Sequence, residues 1–341
     1  MTTIDLTGGM SPETDGVTPG TPDSPTHRES ASMWIWDDAG RLALPRVGIE
    51  AVGATWETSR NVQLNLALPD GRVLAGWGDH AAHPATDSRG RPRVLGAGPL
   101  RFTCVEPFAH WRLEFDGPVT ATTGDDQVTG RYVRGQQPTP ATSVALEVSL
   151  DAHMAAPPWV QGSYEPEGRF IPGEDRFEQL CTVTGTVRVD GVATAFTGGG
   201  LRIHRKGGNR SDYGEFFGHC WQSALFPSGR AFGFIHYRPG PGGPVKYHEG
   251  WVRDGGEILP ARVVDTPWLT ELRPSGQDVS VTLRTAAGDV HVAAETFASS
   301  LTPERPLGQG RTFPDLQQGI AAYRWDGEEA YGMIERSTRP Y

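Results

Sequence analysis

Short apolar runs and turn-forming clusters alternate along almost the whole chain. From Met33 onward the turns recur at intervals of roughly 8 to 12 residues, the spacing of an all-β sandwich or barrel. Val62–Leu68 alternates strictly between apolar and polar or small residues, so one of its faces is predicted to be buried. Pro69-Asp70-Gly71 then turns the chain into Arg72-Val73-Leu74, predicting a hairpin. Trp111–Phe115 alternates in the same way, with a turn expected at Asp116-Gly117-Pro118. Farther on, Asp190-Gly191 and Asp326-Gly327 each separate two strand-like runs, and Gly198–Gly200 reads as a kink. Phe297 to Asp315, rich in proline and glycine, reads as a loop or short helix capping a barrel mouth. Helical periodicity is scarce.

A meander this long must hide its edges, and closure into barrels is the usual solution. The reading is therefore all-β, with two antiparallel β-barrels packed together. Ala152 to Asp175 breaks the rhythm with four prolines and three glycines and reads as a linker or lid. The boundary is placed near Gly173, giving one barrel over residues 31–172 and a second over 173–341. Residues 1–30 carry almost no large apolar side chains and are expected to form a disordered tail.

The densest chemistry lies in Gly198–Trp251, which holds four histidines, two tryptophans, three tyrosines and three acidic residues. If Glu215–Ala224 is a strand, Glu215, Phe217, His219, Trp221 and Ser223 share one face, with Cys220 on the other. The same count puts Val245, Tyr247, Glu249 and Trp251 together. His219, Trp221, Tyr247 and Glu249 are therefore expected to point into one cavity, with Cys220 and His248 directed away from it.

The Gly214–Trp221 stretch, the Phe226–Arg230 turn, the run Ala321-x-Tyr323-x-Trp325-Asp326-Gly327 and the run Gly332-x-x-Glu335-Arg336-Ser337 resemble the lipocalin-like carotenoid hydratase and AttH-type proteins over residues 33–341. That resemblance implies two consecutive lipocalin-like barrels, a hydrophobic pocket, and hydration, dehydration or ring closure of an isoprenoid-like or other natural-product substrate. A His-x-Trp pair and a later Tyr-x-acid pair act in the pocket of the hydratases. They match His219-Cys220-Trp221 and Tyr247-His248-Glu249, with Glu where the hydratases have Asp.

Alkene hydration needs a strong proton donor, a surface that tolerates a cation and a base for water; a buried Glu and aromatic faces meet these needs. Glu249 is then the acid, His219 or Tyr247 handles water, and Trp221 and Trp251 form walls. Phe217, Tyr237 and Arg202 are further candidates for substrate binding. Arg202, Arg205, Lys206 and Arg210 flank Gly207-Gly208-Asn209, either as a solvated loop or as a grip on the polar or carboxylate end of a ligand. The structural alternative pairs Glu249 with Lys246 or an arginine and leaves the tryptophans to fill a barrel. Functional rivals are a carrier of an apolar ligand and a pericyclase acting by shape.

The net charge of −10 and pI near 5.5, with no Lys/Arg-rich run, argue against nucleic acid as a partner. Cys104, Cys181 and Cys220 stand singly in apolar segments and read as buried thiols in a reducing, cytoplasmic setting. No apolar run has the length of a membrane span, and the start lacks a signal-peptide pattern. No cofactor is expected, since neither a phosphate loop nor a dinucleotide fingerprint is present. His204, His219, His236 and His248 lack the spacing of metal ligands. Without Gly-x-Ser-x-Gly, a serine hydrolase is not indicated.

Overall fold

The computed structural model describes residues 4–134, 142–160, 162, 174–207, 217–243, 247–254, 256–308 and 311–339. Among them the fold is two closed antiparallel barrels of eight strands each. The strands of the first half are β1 (Arg28–Asp37), β2 (Ala43–Val52), β3 (Ser59–Ala67), β4 (Arg72–Ala81), β5 (Val94–Ala97), β6 (Leu100–Glu106), β7 (His110–Thr123), β8 (Ser143–Met154), β9 (Trp159–Val160), β10 (Glu174–Val189) and β11 (Val192–Gly207). β1 to β4, β7, β8, β10 and β11 close the ring through the β4–β7 and β1–β11 pairings, while β5, β6 and β9 are attached outside it. The second ring is β12 (Gly218–Leu225), β13 (Ala231–Tyr237), β14 (His248–Asp254), β15 (Glu257–Val263), β16 (Val281–Thr285), β17 (Gly288–Thr302), β20 (Asp315–Trp325) and β21 (Glu328–Thr338). Closure removes the open edges that would otherwise pair with other chains.

The alternation read from the sequence explains what each face meets. Inside the first barrel lie Met33, Ile35, Leu64, Trp111 and Leu113, with Phe102 of β6 packed onto the same core. Phe232, Phe234, Leu283, Val292, Tyr323 and Ile334 fill the second. A third apolar cluster belongs to neither interior: Trp34, Trp36, Leu180, Leu201 and Ile203 of the first barrel meet Trp221, Ile235, Tyr247, Trp251, Ile320 and Met333 of the second. The two barrels therefore pack through outward-facing side chains of β1, β10 and β11 against those of β12, β13, β14, β20 and β21.

Three turns follow the sequence closely. Gly71 has φ +85° in the β3–β4 hairpin. Asp190 and Gly191 have φ of 47° and 81°, and Asp326 and Gly327 have 47° and 83°, the double positive φ of the tight hairpin turns that suit strand twist. Elsewhere the structure differs. No turn forms at Asp116-Gly117-Pro118: β7 runs straight through and there changes partner from β6 to β4. Gly198–Gly200 is not a kink but a stretch of β11 that lets β1 approach closely. A Cβ on Gly199 would lie 2.7 Å from the Trp36 indole nitrogen. Phe297–Asp315 is no helix, since β17 continues to Thr302 and a hairpin, β18 (Arg305–Gly308) with β19 (Arg311–Phe313), follows.

Two larger expectations are corrected. Gly173 itself lies outside the described residues, but β10 and β11 belong to the first barrel, so the changeover falls between Gly207 and Gly218. The composition break separates β8 from β10, which pair with each other in the first barrel; pairing of β11 with β1 from Glu29↔Lys206 to Asp37↔Gly198 is what closes it. The supposed tail is also ordered over its described part, residues 4–30. A short 3-10 turn, Pro12–Asp15, buries the Asp15 carboxylate beside Arg202 at 2.7 Å, and β1 already begins at Arg28. Few apolar residues were needed, because this segment is held by charge.

Candidate acid–base site between the barrels

Strand register arranges the predicted residues in rows across one face of the second barrel. One row is Ser337 (β21), His219 (β12) and Tyr237 (β13), with Tyr247 bonded alongside Tyr237. The next is Glu335, Trp221, Ile235 and Glu249. A third is Met333, Ser223, Gly233 and Trp251. Alternation thus brings His219, Trp221, Tyr237, Tyr247, Glu249 and Trp251 to one side. Cys220 points the other way, into the core of the second barrel. His248 also turns away, stacking on His236 with ring centroids 3.8 Å apart. The shared face is the barrel's outer surface, buried because the first barrel covers it.

The first barrel supplies groups that sequence reading missed. Alternation along β10 places Glu178 and Leu180 on the covering face. Trp221 Nε1 donates to Glu178 Oε2 at 3.1 Å, and Arg176 Nη2 lies 2.5 Å from Glu178 Oε1. The Arg176 guanidinium also lies over the Trp221 ring, 4.9 Å from its centroid. Trp34 meets Trp221 edge to face at 4.8 Å, and Arg46 lies over Trp34 at 5.3 Å. Burial pushes the Glu178 carboxyl up to about 7; Arg176 and Trp221 oppose the shift, and nearby Glu249 adds to it.

Glu249 accepts hydrogen bonds from the Tyr247 hydroxyl and, at 2.8 Å, from the Gly162 backbone N–H. Gly162 belongs to the stretch read as a linker or lid, so part of that stretch reaches the site. Burial, followed by the Glu249 carboxylate, keeps the Tyr247 phenol protonated far above its usual range. Lys246, offered as a structural partner for Glu249, lies outside the described residues. At the other end of the row, His219 Nε2 is 3.1 Å from Glu335 Oε1 and Nδ1 is 2.6 Å from Ser337 Oγ. Since the carboxylate accepts, Nε2 carries a proton. Burial would raise Glu335, but the His219 hydrogen bond, the Arg46 charge and a hydrogen bond from Gln318 hold it down at about 2.

Tyr237 bridges the two ends, with its ring 6.0 Å from His219 and 5.7 Å from Tyr247. Phe217 precedes β12 and lies against Gly240 at the border of the face, where a Cβ on Gly240 would sit 2.6 Å from its ring. Glu215 and Phe216 fall outside the described residues. Arg202 is not part of this site. It points into the first barrel, fully buried, where it pairs with Asp15 and donates to Gln179 Oε1 at 3.2 Å. His204 is likewise separate, 3.0 Å from Glu29 in the first barrel. The four histidines of the central stretch thus occupy three different places.

Three buried indole N–H groups in or beside this interface, those of Trp34, Trp159 and Trp251, have no acceptor among the described residues. Buried donors normally find partners, so these mark where a bound molecule or water would be held. A buried carboxyl with raised proton affinity, the aromatic side chains around it and these indole donors make this face a candidate acid–base site.

The architecture defines a protein built from two lipocalin-like barrels. Matching over residues 11–340, the chain belongs to the family described as a domain of unknown function (DUF7064). Its fold is similar to that of an AttH-type protein from Nitrosomonas europaea (TM-score 0.55, 13% identity, covering 94% of this chain and 98% of that one). It is also similar to CghA solved with Sch210972 (TM-score 0.57, 13% identity, 98% and 96% covered). Kievitone hydratase from Nectria haematococca shares the fold at TM-score 0.50 and 11% identity, with 95% and 92% covered. No curated protein matches the sequence. The resemblance read from the motifs therefore holds at the level of fold. No helix among the described residues is long and apolar enough to cross a membrane.

Proposed function

We propose that this protein is an enzyme that binds an apolar small molecule of isoprenoid, steroid or polyketide type between its barrels and moves protons on it with its own side chains. The reaction class is addition or removal of water, isomerisation or cyclisation. The observation that carries this reading is the Glu178/Glu249 pair: two buried carboxyls close enough to influence each other, one with its proton affinity raised to the neutral range, the other gripped by two donors. A carboxyl that holds its proton into the neutral range beside one fixed by hydrogen bonds divides the labour of acid and base between them. Protonated Glu178 delivers a proton to substrate, and Glu249 removes one from water or from carbon. Return of that proton to Glu178 completes the cycle.

The guanidinium groups narrow the chemistry. Arg176 covers a face of the Trp221 indole, which the sequence reading had offered to a substrate cation, and Arg46 covers a face of the neighbouring Trp34. A free carbocation beside two fixed positive charges is disfavoured by Coulomb repulsion. Elimination, addition or isomerisation next to a carbonyl, where negative charge builds on oxygen, suits the site better. Fold relatives that include a hydratase are compatible with this class.

The test begins with mass spectrometry of apolar compounds that co-purify with the protein, followed by turnover assays on what is found. Glu178→Gln and Glu249→Gln should each lower turnover by about 100-fold or more while ligand affinity changes little. A Glu249→Gln variant with unchanged turnover would remove that carboxylate from the chemistry. Tight binding with no turnover in the natural sequence would instead make the protein a carrier.

A further inference from the structure

Beyond the acid–base pair, charge at the opposite end of the same row is not balanced. Arg134, after the short helix α1 (Gly124–Val128), feels the charges of Arg46 of β2, Arg305 of β18 and Glu335, and Arg46 lies beside Glu335. Glu335 is already engaged by His219 at 3.1 Å and by Gln318 at 2.6 Å, leaving Arg46 at 3.6 Å. Among the described residues no carboxylate lies within ion-pair distance of Arg134 or Arg305. Arg134 is held instead by the Trp77 ring, 4.2 Å from its centroid, and Arg305 Nη1 donates to the Arg134 carbonyl at 2.8 Å. Burial and then the charges of Arg46 and Arg305 lower the proton affinity of Arg134. The buried Nε atoms of Arg46 and Arg305 have no acceptor among the described residues. Half-buried guanidiniums that repel one another persist at a cost, and a planar fork of donors is the usual recognition device for carboxylate.

We propose that Arg46, Arg134 and Arg305 form an anion site at the edge of the inter-barrel face, read here as a ligand cleft, which anchors a carboxylate end group of the substrate whose apolar body lies along the row towards Glu249. The proposal rests on the reading of the cleft as a small-molecule site and specifies its substrate as an apolar acid. Row geometry sets the length of that substrate. Glu335, Trp221, Ile235 and Glu249 sit on four adjacent strands, so the two ends of the row are about 14 Å apart at the ordinary strand spacing. A chain of about twelve carbons, or a fused-ring acid of similar length, spans it.

Calorimetric titration with two matched pairs, dodecanoate against dodecanol and retinoate against retinol, tests the inference. In at least one pair the acid should bind about tenfold or more tighter than the alcohol, the effect of one charge-assisted contact. Arg134→Gln should abolish that preference while leaving alcohol affinity unchanged, and Arg134→Lys should restore part of it. Without ligand, Arg134→Gln should melt no lower than the natural protein, because it relieves repulsion; a purely structural arginine would be missed. Acid and alcohol bound equally in both pairs, or a preference untouched by Arg134→Gln, overturns the anion site and leaves the cleft reading intact. If none of the four compounds binds, the anion site as specified here, for an apolar acid of this length, is overturned, while the small-molecule reading stands or falls on the compounds that co-purify. Should Arg134→Gln fail to fold, Arg305→Gln carries the same expectations.

Discussion

Two buried polar clusters in this protein use the same residue types to opposite effect. At the end of the first barrel, Asp15 and Glu29 face Arg202 and His204, with ion-pair distances of 2.7 Å for Asp15 to Arg202 and 3.0 Å for Glu29 to His204. Burial opposes ionisation of both carboxyls. It is outweighed by Arg202 and His204 at Asp15, and by His204 and Lys206 at Glu29, so both are held below the usual range. Between the barrels the outcome is reversed at Glu178, where burial wins in spite of Arg176. Matched charges hold both carboxyls ionised at the barrel end, whereas between the barrels burial raises the proton affinity of Glu178. Buried charge by itself therefore does not single out the proposed site; the sign of its imbalance does.

The largest effect that could break this comparison concerns the matched cluster. Arg202→Met leaves Asp15 buried without its cation and should destabilise the protein by about 3–5 kcal/mol, read from denaturant midpoints. The double change Asp15→Asn with Arg202→Met should recover most of that loss, since replacing both partners is milder than orphaning one. A small effect of Arg202→Met alone would mean that the plug contributes little and that the two clusters differ less than their geometry indicates.

Next in size is the pH dependence, whose sign differs between the clusters. The folded state holds the Glu178 proton more tightly than the unfolded chain does. Between the ordinary carboxylate range and about 7 it therefore binds more protons, and stability falls as pH rises through that window. Relative to the natural protein, Glu178→Gln should gain on the order of 1–3 kcal/mol on going from pH 4.5 to 7.5. Asp15 and Glu29 behave oppositely: their contribution is full above the ordinary carboxylate range and is lost as pH falls, so Asp15→Asn should blunt acid sensitivity. Equal pH slopes for Glu178→Gln and the natural protein would sink the assignment of Glu178 as the proton holder. The smallest expected change is Ser337→Ala, which removes the hydroxyl beside His219 Nδ1 and should cost about 1 kcal/mol, with a modest loss of turnover.

Alternation made much of this legible from sequence. Period two placed His219, Trp221, Tyr247, Glu249 and Trp251 together, and the Asp-Gly pairs marked two hairpins, because both signals are local. What was missed is non-local. Glu178 stands inside a strand-like run with nothing to distinguish it until β10 is laid across β12. Arg202 looked like a loop arginine beside glycines; only barrel closure turns it inward towards Asp15. The boundary near Gly173 followed a change in composition, yet a barrel ends where its last strand finds its first, and no run of prolines records that pairing. The first residues looked disordered because apolar content was the only criterion, while their ordering comes from an ion pair whose partner lies far along the chain.

That first-to-last pairing also sets the order of events as the chain folds. β1 and β11 are about 170 residues apart in sequence, and β12 and β21 are more than a hundred apart. Neither ring can shut until nearly all of its strands exist, so the entropy of a long loop is spent before the closing contacts repay it. Emerging from the ribosome, the first ring becomes competent to close only once Gly207 is free of the exit tunnel. The face that carries Trp221 and Glu249 waits longer still, for β21. Until then its aromatic row is an uncovered sticky surface, and a nascent chain stalled between Gly207 and Thr338 would be the species most in need of a chaperone.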